Sequence, residues 1–365
     1  MGSQETLSRK GFLPPEAIGN AMKRFMKKVA LLALLLALLI PVLNYLGLWA
    51  GKIYKDGAAQ VCETKRRMVR SGAIHYVKDK DNVLFLGTSR ILAGITPTYF
   101  DELSGGKTFS YNLALPGLPI SSAYFVLRDY LEKNPPPQYV VMQLYINRCR
   151  SCTLYNYYAV QGLERPGEIL SLFKHMANKA IIFNYIFPFR MYKFHTARYL
   201  FDSIIIPARI RSIRKKNNAI LNRMIENRGY YFIEEQAVAA NNMLPDDFAE
   251  EGGGGSGESI NKASSYDPFV DPYVKMFFDL ARDHGVKVLL IQPPYRERQY
   301  LQYEEIPLQY AILLKEYNIV RIAQEGWKLK FYENRFFSDP THLNKEGALR
   351  YTGEIYQEFK EAFLL

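Results

Sequence analysis

Cysteine is scarce in this chain, three in 365 residues. That is too few for a disulfide-stapled scaffold or a cysteine-built zinc finger. Cys149 and Cys152 form a C-x-x-C pair, but two ligands make no zinc site and no thioredoxin-like segment surrounds them. A redox pair, a short disulfide and two unpaired thiols stay open for them, a structural role being the preferred reading. Cys62 lies too far beyond the apolar run described below to be a lipidated cysteine. Histidine is also rare, at five, so a general base has few addresses. No nucleic-acid-binding motif is present despite a net charge of +11 and a pI near 9.3. The basic balance therefore points to a membrane surface or an anionic polymer, and nucleic acid is not an expected partner. General disorder is excluded, because 48% of the residues are hydrophobic and 14% aromatic, enough for one large core.

One stretch lacks charge altogether. Val29 to Trp49 reads VALLALLLALLIPVLNYLGLW, and a bilayer core requires about 20 apolar residues. Membrane helices tolerate a kinking proline such as Pro41, and Tyr45 and Trp49 suit the interface. The run is longer than a signal-peptide core and no small-x-small site follows it, so it reads as an uncleaved anchor. Lys23, Arg24, Lys27 and Lys28 precede it, whereas only Lys52 and Lys55 follow closely. This bias places the N-terminus in the cytoplasm and the rest outside, although Lys65, Arg66 and Arg67 weaken the asymmetry. Accordingly, residues 1–28 read as a cytoplasmic tail, 29–49 as a single-pass cell-membrane anchor and 50–80 as a basic helical stalk. Residues 81–365 read as the main domain, with a basic helical insertion at about 160–265.

Apolar runs and helical periodicity alternate through the main domain. Val83–Leu86, Thr108–Leu113, Tyr139–Ile146 and Val286–Gln292 have the character of buried strands. Pro119–Lys133, Val270–His284 and Lys345–Phe363 repeat apolar residues at helical spacing, and Gly285 is placed to cap the second of these. Strands separated by helices predict an α/β fold: a parallel sheet covered by helices on both faces, preceded by one transmembrane helix.

Residues 160–265 break this rhythm. Between Arg190 and Arg228 stand Arg190, Lys193, Arg198, Arg209, Arg211, Arg214, Lys215, Lys216, Arg223 and Arg228, against only Asp202 and Glu226. Apolar clusters such as Ile204-Ile205-Ile206 interleave with them. A solvated helical face and a surface lying on anionic lipid, a membrane partner or an acidic polymer are both open readings. Gly252 to Gly255 mark a flexible loop.

Three places carry residues suited to catalysis. Ser89, in Gly87-Thr88-Ser89-Arg90, follows a buried strand and opens a helix, which presents a hydroxyl and backbone N–H groups at a sheet edge. A tight turn with a capping serine explains the same pattern, and a serine nucleophile needs a base. Asp339 and His342 stand three residues apart in Ser338-Asp339-Pro340-Thr341-His342, before the last helix. The carboxylate can reach the imidazole Nδ1–H while Nε2 faces a hydroxyl; the plainer alternative is an Asp-Pro turn. Asn147, after the Tyr139–Ile146 strand, and Gly117, after the second strand, are candidate oxyanion donors, or simply loop residues.

In order along the chain, Gly87-Thr88-Ser89, Gly117, Tyr145-Ile146-Asn147-Arg148 and Asp339-Pro340-Thr341-His342 resemble the blocks of the SGNH (GDSL-like) hydrolase superfamily. The resemblance covers roughly residues 80–150 and 270–365. It departs from the usual pattern in three places: Thr88 replaces an Asp, Arg90 follows the serine, and Tyr145 stands where the third block has Gly. It implies a flavodoxin-like three-layer α/β/α domain with catalytic Ser89, Asp339 and His342. Gly117, Asn147 and Arg90 then become oxyanion- or substrate-binding residues, with no metal or organic cofactor.

The anchor makes the chain look like membrane-tethered SGNH-like proteins, such as those of alginate and cellulose O-acetylation and of teichoic-acid D-alanyl transfer. Such proteins work beside a membrane-bound O-acyltransferase. The implied function is transfer of an acyl group, acetyl foremost, to a cell-surface polysaccharide hydroxyl through a serine ester. The alternatives are an esterase acting on the same polymer and a non-catalytic subunit of an export or modification complex.

Overall fold

The computed structural model describes residues 15–54, 57–116, 121–143, 186–231, 272–296, 316–322, 330–339 and 341–364. Its centre is a five-stranded, fully parallel sheet. The strands are β1 (Asp81–Leu86), β2 (Thr108–Asn112), β3 (Tyr139–Gln143), β4 (Lys287–Ile291) and β6 (Val320–Ile322). Two two-residue strands, β5 (Tyr295–Arg296) and β7 (Phe331–Tyr332), pair separately. The main sheet runs β2-β1-β3-β4-β6, so successive crossovers travel in opposite directions on either side of β1. An α/β fold with a parallel sheet is what the alternation of apolar runs anticipates; β6, a short strand with exposed Arg321, was not anticipated.

β1, β3 and β4 are apolar over most of their length because both faces are covered. All of β3 is buried, as are β1 beyond Asp81 and β4 beyond Lys287. On one face lie α3 (Ser89–Gly94), α4 (Pro97–Leu103) and α9 (Lys345–Phe363), with Phe100 edge-on to both Phe85 and Phe359. On the other, α2 (Gly57–Arg70), α5 (Ser121–Leu131) and α8 (Pro272–Asp283) pack on one another. Gly285 has φ +67, and the Val286 N–H reaches back to the Ala281 carbonyl at 2.8 Å. This is the left-handed C-terminal turn expected of a glycine just beyond a helix. Residues 57–70, read from sequence as part of a stalk, are built into the core. Val61, Cys62, Met68 and Val69 of α2 are all buried in the main cluster.

Helix α1 (Pro15–Ile53) contains 33 residues, Gly19–Gly51, long and apolar enough to cross a membrane; its most apolar part has no buried residue, whereas Gly47, Ala50 and Gly51 at its end are buried. The basic insertion supplies α6 (Pro188–Ile205) and α7 (Pro207–Glu226). α6 packs along the end of α1. Asn44 donates to the Ile186 carbonyl, Gly47 abuts Phe189, Gly51 abuts Tyr192, and Tyr54 donates to Asp202 at 2.7 Å. The paired numbers rise together, so the two helices run in the same direction.

Candidate functional site

Ligands of open parallel sheets bind beyond the strand carboxyl ends, where the crossover direction switches. Here that point lies at the end of β1. Gly87 leaves the strand at φ +154, and a Cβ there would stand 2.5 Å from Ile91 Cγ1 and 2.8 Å from Gln143 Cβ. Only glycine fits this turn. Thr88 caps α3: its hydroxyl accepts from the Arg90 N–H at 3.3 Å. That hydroxyl also donates to Gln143 Oε1 at 2.7 Å, and the Thr88 N–H donates to the same oxygen at 3.0 Å. The last residue of β3 thus fixes the turn that presents Ser89. Ser89 is the first residue of α3, where backbone N–H groups have no partner within the helix. At six residues, α3 brings little macrodipole, so any help to an oxyanion comes from the local N–H group.

A second buried support holds α3 from below. Asn112, at the end of β2, is fully buried; its amide donates to the Ile91 carbonyl at 2.8 Å and the Ile95 carbonyl at 3.0 Å. Lys65 of α2, also buried, reaches the Asn112 and Ala114 carbonyls at 2.7 and 2.6 Å. Burial pushes its ammonium well below the ordinary lysine value. Beyond β2, the Leu113 and Leu115 N–H groups donate to the Phe85 and Gly87 carbonyls, each at 2.8 Å. The chain leading towards Gly117 is therefore laid along the end of β1. Gly117 itself, Asn147, Cys149 and Cys152 lie outside the described residues.

The other half of the site comes from the turn before α9. Asp339 Oδ2 is 2.7 Å from His342 Nδ1, and its Oδ1 accepts from the Thr341 and His342 N–H groups, each at 2.8 Å. Burial works to raise the Asp339 carboxyl, but the hydrogen bond from His342 leads the contacts that hold it below the usual carboxylate range. With Nδ1–H given to Asp339, Nε2 carries the free lone pair, and it is buried with no hydrogen-bond partner. The turn is pinned by Ser338 N–H to the His342 carbonyl at 2.9 Å and by an antiparallel bridge between Phe337 and Leu343. Asn344 then caps α9, accepting from the Gly347 N–H at 2.9 Å.

α9 lies directly on α3. A Cβ on Gly94 would be 3.4 Å from Tyr351 and 3.6 Å from Leu343, the neighbour of His342. The Thr96 N–H also donates to Thr352 at 3.0 Å. The packing thus brings the element opened by Ser89 against the element preceded by Asp339 and His342. Ser89 and His342 are not hydrogen-bonded to each other.

Arg90 turns to β4's exit. Its guanidinium donates to the Pro294 carbonyl and lies 3.9 Å over the Tyr295 ring, while its Nε is buried without a partner. Gln292, just past β4, is only 2% exposed, yet neither its amide nitrogen nor its amide oxygen has a hydrogen-bond partner. Its carbonyl is held by the Tyr351 hydroxyl at 2.8 Å. Gln143 and Gln292 were not singled out from sequence. Gln292 is the polar residue that ends the Val286–Gln292 run, whereas Gln143 interrupts an apolar run and only the fold places it at the sheet's carboxyl edge.

A family model described as "Protein of unknown function (DUF1574)" matches residues 23–358. No curated protein matches the chain.

Proposed function

The chain belongs to the DUF1574 family, and we propose that it is a membrane-anchored, SGNH-type acyltransferase. In this reading its domain faces away from the cytoplasm and adds an acyl group, acetyl foremost, to a hydroxyl of a cell-surface polysaccharide. The observation that carries the proposal is the Asp339–His342 pair at 2.7 Å, with an unpartnered Nε2, seated against the helix that Ser89 opens. The strand order supports the same reading, because taken along the chain the main sheet runs 2-1-3-4-5, the flavodoxin-like order.

Ser89 Oγ adds to the acyl carbonyl of the donor while His342 Nε2 takes the hydroxyl proton and Asp339 holds the imidazole in that tautomer. The tetrahedral intermediate collapses, the bond to the donor's leaving group breaks, and His342 returns the proton to that group. A sugar hydroxyl then gives its proton to His342 and attacks the Ser89 ester, which releases the acylated sugar and restores the serine. The Ser89 N–H, with Gly117 and Asn147, holds the oxyanion. Gln292 and the Arg90 Nε, buried and unpartnered, are the groups placed to meet substrate. The acyl donor arrives through a membrane-bound O-acyltransferase partner.

The test is the ester content of surface polysaccharide in strains carrying Ser89→Ala or His342→Ala. Each removes a member of one unit, and each is expected to cost several orders of magnitude in rate and to match a full deletion. Ester levels rising above wild type would identify an esterase with the same triad. Normal levels in both variants, with a deletion strain that loses them, would leave a non-catalytic subunit.

A further inference from the structure

Helix α6 has two contrasting faces. Tyr192, Thr196 and Asp202 are buried, and α6 packs along α1. Phe194, Ala197, Phe201 and Ile204, spaced i, i+3, i+7 and i+10, fall on the opposite face. Phe194 and Ile204 are each 77% exposed, more than Leu34 and Leu35 in the apolar run of α1, at 57% and 54%. A contiguous apolar stripe of this kind is not left to water.

The basic residues of the insertion sort themselves around this stripe. Arg228 is paired with Asp101, and Arg198 and Arg209 face the buried Asp202 at 3.8 and 3.6 Å. Arg211, Arg214, Lys215 and Lys216, on the first half of α7, are exposed. Their height along α1 is fixed by two contacts: Arg214 lies 5.4 Å over the Trp49 ring, and Asn217 donates to the Ile53 carbonyl at 3.2 Å. Trp49 ends the uncharged run, the level at which a spanning helix meets lipid headgroups.

We propose that the α6–α7 segment is a second membrane-binding element. The α6 stripe lies at the boundary of headgroups and acyl chains in the leaflet on the domain's side, and Arg211, Arg214 and Lys215 bind the phosphates of anionic phospholipids in that leaflet. The inference rests on α1 spanning a bilayer and is independent of acyl transfer.

The test uses the full chain in nanodiscs of phosphatidylcholine and phosphatidylglycerol, with the photo-crosslinker p-benzoylphenylalanine at Phe201 or Ile204. Leu35 serves as a position within the apolar run and Asn222 as an exposed position on the later part of α7. Phospholipid adducts at Phe201, Ile204 and Leu35, but not at Asn222, are expected. A crosslink to a second copy or to another protein, or no adduct at Phe201 and Ile204 while Leu35 reacts, overturns the proposal. The headgroup half is tested by native mass spectrometry of Arg211→Gln/Lys215→Gln. Both side chains are exposed, so the thermal transition should be unchanged. Preference for phosphatidylglycerol over phosphatidylcholine should fall about five-fold for each charge removed. An unchanged preference overturns that half.

Discussion

Asp339 and Gln292 show how single side chains tie the site to the fold. The Asp339 carboxylate, with four acceptor contacts at 2.8, 3.1, 2.8 and 2.7 Å, sits below the usual carboxylate range. A depressed carboxyl contributes stability that is complete above its unfolded value and is lost as pH falls through the folded value. Asp339→Asn is therefore expected to destabilise the protein by about 1–2 kcal/mol near neutral pH. The gap from wild type should close as denaturation is followed down through pH 4 and below. A gap independent of pH would mean that the charge is not what holds the turn. Gln292 behaves in the opposite way. Its buried amide is unpartnered, and an unmet amide costs about 1–3 kcal/mol. Gln292→Leu should leave the thermal transition unchanged or raised while lowering ester transfer; a lowered transition with normal transfer would make the amide a structural group. The asymmetry between the residues also explains what was legible beforehand. Asp339, His342 and Ser89 stand in local patterns whose spacing is itself chemical. Gln143, Asn112 and Lys65 matter only through partners at long separations: Thr88 lies 55 residues from Gln143, and Asn112 lies 47 from Lys65. No local pattern encodes such a meeting.

Elements divide along the same line. β1, β3 and β4 were plain in sequence because strands buried on both faces read as unbroken apolar runs, and α9 matches its expected Lys345–Phe363 bounds. β6 was missed because three residues, one of them the exposed Arg321, make no pattern. α2 was placed in a stalk because its charges dominate the reading: Lys65, Arg66, Arg67 and Arg70 crowd a 14-residue helix. Folding puts Lys65 inside, where carbonyls receive its ammonium, and uses Val61, Cys62, Met68 and Val69 as core. The consequence is measurable with truncated chains in detergent. A chain beginning at Gly57 keeps α2 and should unfold cooperatively, whereas one beginning at Asp81 loses a core helix as well as the donor to the Asn112 and Ala114 carbonyls. Equal stability of the two, by circular dichroism melting, would show that α2 is dispensable after all.

With α1 spanning a bilayer as proposed, the candidate site lies close to it. Only Tyr54 to Asp56 separate the end of α1 from α2, a reach of at most about 14 Å, and α2 grips the segment beside Ser89's strand through Lys65. The insertion makes a second connection: the Asn112 N–H donates to the Arg228 carbonyl, just past α7, at 2.8 Å. A domain held this tightly to one membrane face can meet only what reaches that face. Orientation therefore decides which substrates are possible. In the proposed topology Lys23, Arg24, Lys27 and Lys28 ahead of the apolar run keep the N-terminus cytoplasmic, and Ser89, Asp339 and His342 then lie on the side where surface polysaccharide is assembled. In intact cells an N-terminal tag should resist added protease and a tag after Leu365 should be cleaved, with both cleaved once the membrane is opened. The inverse pattern would put the triad in the cytoplasm, remove surface polysaccharide as the acceptor, and leave the fold and the α6–α7 lipid contacts untouched, since neither depends on which side the domain faces.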